Sequence, residues 1–133
     1  MFRTPVLAAA FAALVLAAGP VAAAPSVTIV EPADGATVGS PFKVRFGVSG
    51  MTVAPAGEIV AGSGHHHLVI DGGPVPEGAV VPATPTSLHF GKGQTETEVT
   101  LPPGTHKLTA QFANGAHQSY GPAMSQTITV TVK

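Results

Sequence analysis

Glycine and proline cut this chain into short segments, 16 Gly and 13 Pro in 133 residues, and no segment beyond Pro25 carries a long helical period. What the segments carry is alternation. In Phe42 to Val48 (FKVRFGV), residues Phe42, Val44, Phe46 and Val48 fall on one face, as in a half-buried strand. Ser26 to Val30 (SVTIV) precedes it as a first strand. His65 to Asp71, Ser87 to Phe90, Thr95 to Leu101, His106 to Phe112 and Thr127 to Val132 follow as strands three to seven. Between the third and fourth, "GGPVPEGAVVPATPTS" is too broken for a central strand and is expected along an edge. Asn114-Gly115 is a hairpin signal.

Seven short strands at this spacing imply an all-β fold, an immunoglobulin-like antiparallel β-sandwich of about seven strands. Without Cys or Trp, the chain lacks the disulfide and buried indole of an antibody-type core. No repeat or linker divides it, so residues 24–133 are expected to form one domain.

The first 23 residues read differently. Arg3 supplies a positive start, Val6 to Ala18 an apolar run, and Gly19-Pro20 a break. Val21 and Ala23 then fit a small-residue cleavage site, so residues 1–23 read as a secretory signal peptide and the mature protein as periplasmic or secreted. Its loss removes one of six basic residues and leaves all seven acidic ones. The resulting negative balance argues against nucleic acid and against an anionic membrane surface as partners. Aromatic platforms for sugars or bases are few: Phe42, Phe46, Phe90, Phe112 and Tyr120.

Three consecutive histidines, His65, His66 and His67, are the anomaly, because strand positions favour β-branched and aromatic residues. With the strands in immunoglobulin order, the connections after strands two, four and six gather at one end. The triplet, His89 and His117 then share one rim, with Met51 beside them. His106 starts the sixth strand and belongs to the other end. Alternation turns His65 and His67 to one face and His66 to the other, where it is either a ligand or an orienting neighbour. His65, His66, His67, His89, His117 and Met51 are therefore the candidate metal ligands. Neutral imidazole suits copper, zinc and nickel, and a thioether in an oxidising compartment would favour copper.

Other motifs carry less. Glu96 and Glu98 alternate outward on the fifth strand and read as a solvated face rather than an acid/base pair. "FGKGQT" lacks the Ser or Thr and the helix of a phosphate loop, and "AGSGH" lacks a nucleophile elbow, so Ser63 is no nucleophile. Met124 is equally a core filler or a ligand.

Four segments resemble a bacterial family, domain of unknown function 4399: "PADGATVGSPFKVRFGVSGM", "APAGEIVAGSGHHHLVIDGG", "HFGKGQTETEVTLPPGTHKLTAQFANGAHQSYGP" and "ITVTV". The resemblance implies an exported single-domain β-sandwich with no established activity. Its pattern includes His65, His66, His67, His89, His106 and His117, which gives His106 a place that the strand order alone does not.

The expectation is a periplasmic metal-binding protein, copper first with zinc or nickel as alternatives, acting in binding, buffering or delivery. A protein partner is not legible. Two other classes stay open: an interaction module with no metal role, and a copper-dependent redox enzyme resembling superoxide dismutase, whose disulfide cysteines this chain lacks.

Overall fold

The computed structural model describes Phe2, residues 5–19 and residues 23–133. Arg3, Pro20 and Val21, part of the expected signal sequence, lie outside the described residues. Residues 5–19 form neither helix nor strand, and their apolar side chains, Phe11 and Leu14 among them, are exposed. No helix among the described residues is long and apolar enough to cross a membrane.

Nine strands follow in order: β1 (Ser26–Glu31), β2 (Thr37–Val38), β3 (Phe42–Ser49), β4 (Thr52–Val53), β5 (Ser63–Ile70), β6 (Ser87–His89), β7 (Glu96–Val99), β8 (Gly104–Ala113) and β9 (Ser125–Val132). One 3₁₀ turn, Pro122–Met124, leads into β9. The longer strands match the alternation of the sequence. In β3 the burial follows Phe42, Val44 and Phe46, while Lys43 and Arg45 face solvent. The expected count of seven misses β2 and β4, two residues each and too short to alternate. Both pair in parallel, β2 with β9 and β4 with β5.

One sheet runs β1-β3-β7 and the other β2-β9-β8-β5-β4, with β6 also paired to β5. Between them lies the apolar core, built from such residues as Val44 and Phe46 on one side and Leu68, Leu108, Phe112 and Val130 on the other. This is a sandwich of the immunoglobulin-like order, with one correction. The fourth expected strand, β6, does not join the sheet of β1, β3 and β7. It pairs antiparallel with β5, placing His89 directly opposite His67. The segment before it stays on the β5–β8 side, bonded to Gln111, Ser119 and His117, and so delivers β6 beside β5.

A second correction concerns residues 72–86. They do not lie along an edge but fold across the outer face of β5 and β8. Thr109 donates to the Gly72 carbonyl, the Val75 amide donates to the Gln111 side chain, and the Val81 amide donates to the His117 carbonyl. Ser119 ties the same segment down, donating from its hydroxyl to the Val75 carbonyl. A Pro-rich segment cannot build a ladder, so its few amides are satisfied one at a time by side chains and loop carbonyls. In consequence the outer face of β5 and β8 is interior, and Thr109 and Gln111 are fully buried there.

Candidate metal centre

Strand alternation on β5 splits the histidine triplet. His66 turns inward with Leu68 and Ile70, while His65 and His67 turn to the outer face beneath residues 72–86. All eight residues of β5 but Val69 are buried, so both faces of this strand are dry. Gly64 is needed at its start, since a side chain there would collide with the Ala113 carbonyl of β8.

His117 reaches the cluster from the β8–β9 connection. That connection is not a tight Asn-Gly hairpin; it runs from Asn114 to the 3₁₀ turn before β9. The Asn114 side-chain oxygen accepts from the Ala116 and Gln118 amides, curling the loop so that His117 sits at φ 63°. A non-glycine residue in this left-handed region is uncommon, and here it turns an imidazole back toward β5.

The ring nitrogens converge. His65 Nε2 lies 2.9 Å from His67 Nε2 and 3.0 Å from His117 Nδ1. Ligand atoms of His65, His67 and His117 all fall within 4.8 Å of one another. Two nitrogens bound tetrahedrally to a zinc-sized ion lie about 3.3 Å apart, so this trio is close to ligand spacing. His89 adds a fourth ring beside the trio, outside the group of ligand atoms that lie within 4.8 Å of one another and with its Nε2 against Gly91. Its centroid is 5.1 Å from that of His117, 5.9 Å from His67 and 6.2 Å from His65. The other three pairs span 4.7, 4.9 and 5.7 Å. Four imidazoles around one tetrahedral ion would place their centroids about 5.2 Å apart, within the observed range.

The electrostatics suit a cation's ligands. Burial, then the charges that would form on His117 and His89, lowers the His65 pKa to about 4. Burial, then the neighbouring His65, His117, His89 and His66, lowers that of His67 to about 3. Both rings are therefore neutral at any ordinary pH and present lone pairs. Their Nδ1 atoms are buried without a hydrogen-bond partner. A contact between two imidazole nitrogens can hold only one proton, and His65 Nε2 faces two such contacts. Two buried imidazoles and a half-buried one thus satisfy one another poorly, which is costly for the two in the dry interior.

The remaining candidates lie elsewhere. His66 stacks on Phe46 at 4.9 Å and meets Phe112 edge-on at 5.1 Å, inside the apolar core. Neither of its ring nitrogens has a partner, and burial, then the neighbouring His65, lowers its pKa to about 4. Met51 is half-buried and packs against the core, and Met124 is a buried core residue. Ser63 donates its hydroxyl to the Val60 carbonyl, a structural bond.

His106 sits at the far end of β8. Its Nδ1 is 2.9 Å from Asp71 Oδ2 and its Nε2 is 2.8 Å from the Pro102 carbonyl. Both neighbours are acceptors, so the ring fits best as an imidazolium donating from both nitrogens. The Asp71 bond first, then that to Pro102, raises the His106 pKa, and the same His106 bond lowers that of Asp71.

The sequence reading did not find Gln111 or residues 72–86 as builders of the site. Gln111 holds four backbone groups, accepting from the Val75 amide and donating to the carbonyls of Phe112, Gly121 and Met124. It thereby pins both the covering segment and the β8–β9 connection.

Residues 44–133 match the family described as Domain of unknown function (DUF4399). The match starts inside β3, so β1, β2 and the quoted segment from Pro32 to Lys43 precede it. No curated protein and no solved structure matches the chain.

Proposed function

The chain belongs to the DUF4399 family, whose description assigns no function, and we propose that it is an exported metal-binding protein that holds one divalent ion at His65, His67, His117 and His89. One observation carries the reading. Three imidazole nitrogens meet at 2.9 and 3.0 Å, and the Nδ1 atoms behind two of them have no partner. An ion at that point would replace two compromised contacts with coordinate bonds, and each ring would keep its proton on the nitrogen facing away.

Copper is the ion proposed. An all-nitrogen donor set follows the usual order of affinity, in which Cu²⁺ exceeds Ni²⁺ and Zn²⁺. Zinc is the second reading, favoured by the near-tetrahedral spacing of the four rings. Export rests on the basic start and apolar run of the first 23 residues.

The test is native mass spectrometry of untagged protein recovered from a periplasm supplied with copper, zinc and nickel. One copper per chain is the expected result. Bare protein that stays bare when each ion is added overturns the reading.

A further inference from the structure

The four histidines are not equivalent. His65 and His67 are fully buried and rise from the middle of a sheet, and His117 is half-buried on a loop tied down by Asn114 and Val81. His89 alone is exposed. It ends β6, a three-residue strand at the margin of the sheet that pairs only with β5. Its ring is also the one whose nitrogens make no hydrogen bond to the other three: the two short contacts join His65 to His67 and His65 to His117. The Nε2 of His89 lies against Gly91, where a side chain would come within 2.9 Å of it, and the group of ligand atoms within 4.8 Å of one another is His65, His67 and His117 without His89. An open pocket of about 460 Å³ adjoins the ring, lined by His89 itself with Thr84, Pro85, Leu88 and Phe90.

Resting on the metal-binding reading, we propose that His89 is the displaceable ligand of the site. It occupies the position through which the ion enters and leaves, and a small monodentate nitrogen donor from outside can take its place. The nitrogens of His65, His67 and His117 set whether the ion is held, and His89 sets how fast it is exchanged. The exchange is a ligand substitution. The incoming nitrogen supplies its lone pair to the ion, His89 withdraws with its own, and the charge and oxidation state of the ion do not change. The pocket beside His89 gives the incoming donor space next to Thr84 and Pro85, at the end of the covering segment.

The experiment compares wild-type protein with His89→Ala and His65→Ala, each loaded with Cu²⁺. Ion content is read by native mass spectrometry and exchange by transfer to a competing chelator, with imidazole as the external donor. His89→Ala is expected to keep one ion per chain and to release it about tenfold faster or more. Added imidazole should slow that release toward the wild-type rate and shift the visible absorption of the copper, and wild type should show the same shift only at a higher concentration, because there imidazole must first displace His89. His65→Ala should load poorly, with no rescue by imidazole. Equal release from wild type and His89→Ala with no imidazole shift overturns the proposal, as does loss of the ion from His89→Ala to the same degree as from His65→Ala. Wild-type protein that binds no ion overturns the metal-binding reading itself, a result distinct from either. Because His89 is exposed, its alanine variant should keep the wild-type circular dichroism spectrum; a changed spectrum would show a structural role and also overturn the assignment.

Discussion

At the Asp71 end of β5, His106 has an acceptor for each ring nitrogen; at the Ser63 end, His65, His67 and His117 have chiefly one another. The first arrangement is complete as it stands. Asp71, itself at φ 57°, also accepts from the Lys107 amide, so a single carboxylate joins the end of β5 to the start of β8. Charge is welcome there, and the pKa of His106 is raised. The second arrangement excludes charge, its pKa values fall to about 4 and 3, and ring nitrogens are left unsatisfied. The same residue type is a finished structural clamp at one end and an incomplete donor set at the other. Unsatisfied nitrogens that converge on one another, rather than the presence of histidine, mark a candidate ligand site; His66, unpartnered but alone among Phe46 and Phe112, does not meet that condition.

The strongest way to break this contrast is to remove the donors. A His65→Ala, His67→Ala double variant should lose at least about a thousandfold in copper affinity, whereas His106→Ala should lose none, both measured by chelator competition. Equal losses would mean that the two ends are not distinct.

Acid separates them next. In the folded ion-free protein His65, His66 and His67 stay neutral down to about pH 3 to 4, while the unfolded chain takes up protons below about 6.5. The unfolded state then binds more protons, so stability falls as pH drops from 6.5 toward 4, by up to about 1.4 kcal/mol per pH unit for each group. Urea unfolding at pH 7 and pH 5 should show the loss; an unchanged midpoint would contradict dry burial of the cluster. At His65 and His67 protons compete with a bound ion only near these depressed values, so the ion should stay on those two rings at pH 5.5.

A smaller effect tests His66, which shares the cluster's sequence but not its place. His66→Leu removes two unpartnered buried nitrogens at similar volume, and should stabilise the protein by about 1 kcal/mol with ion content unchanged. Lost ion would return His66 to the ligand set.

The smallest effect is at the clamp. Its His106 contribution is present below about pH 6.5 and fades as pH rises through the raised folded value, while the Asp71 contribution fades in acid. Half-exposed Asp71 limits its worth, so His106→Gln should cost at most about 1 kcal/mol at pH 6 and less at pH 9, read from thermal melts.

The sandwich was legible because β3 and β8 alternate over eight and ten residues, long enough for a period of two to declare itself. The rim was legible because i and i+2 on a strand share a face, which separates His65 and His67 from His66 without any coordinates. The partner of β6 was not, since three residues carry no pattern that distinguishes one sheet from the other. Nor was the burial of the cluster. "GGPVPEGAVVPATPTS" has no periodicity, and its position follows from scattered hydrogen bonds to Gln111, Ser119 and His117, contacts that lie between 36 and 44 residues away where a side chain makes them. The displaced position of His117 depends on a left-handed φ that a histidine does not announce.

His65 and His117 are 52 residues apart in sequence yet share a hydrogen bond. An ion bound by both would close a chain loop of that length, and in a chain-entropy description such a tie is worth about 4 kcal/mol. The protein has no cysteine, so no covalent bridge can supply that constraint. A histidine-held ion would supply it as a reversible staple, opened by acid or by a stronger chelator. Surrendering the ion would then also loosen the β8–β9 connection that helped to hold it, so that cargo and cross-link leave together.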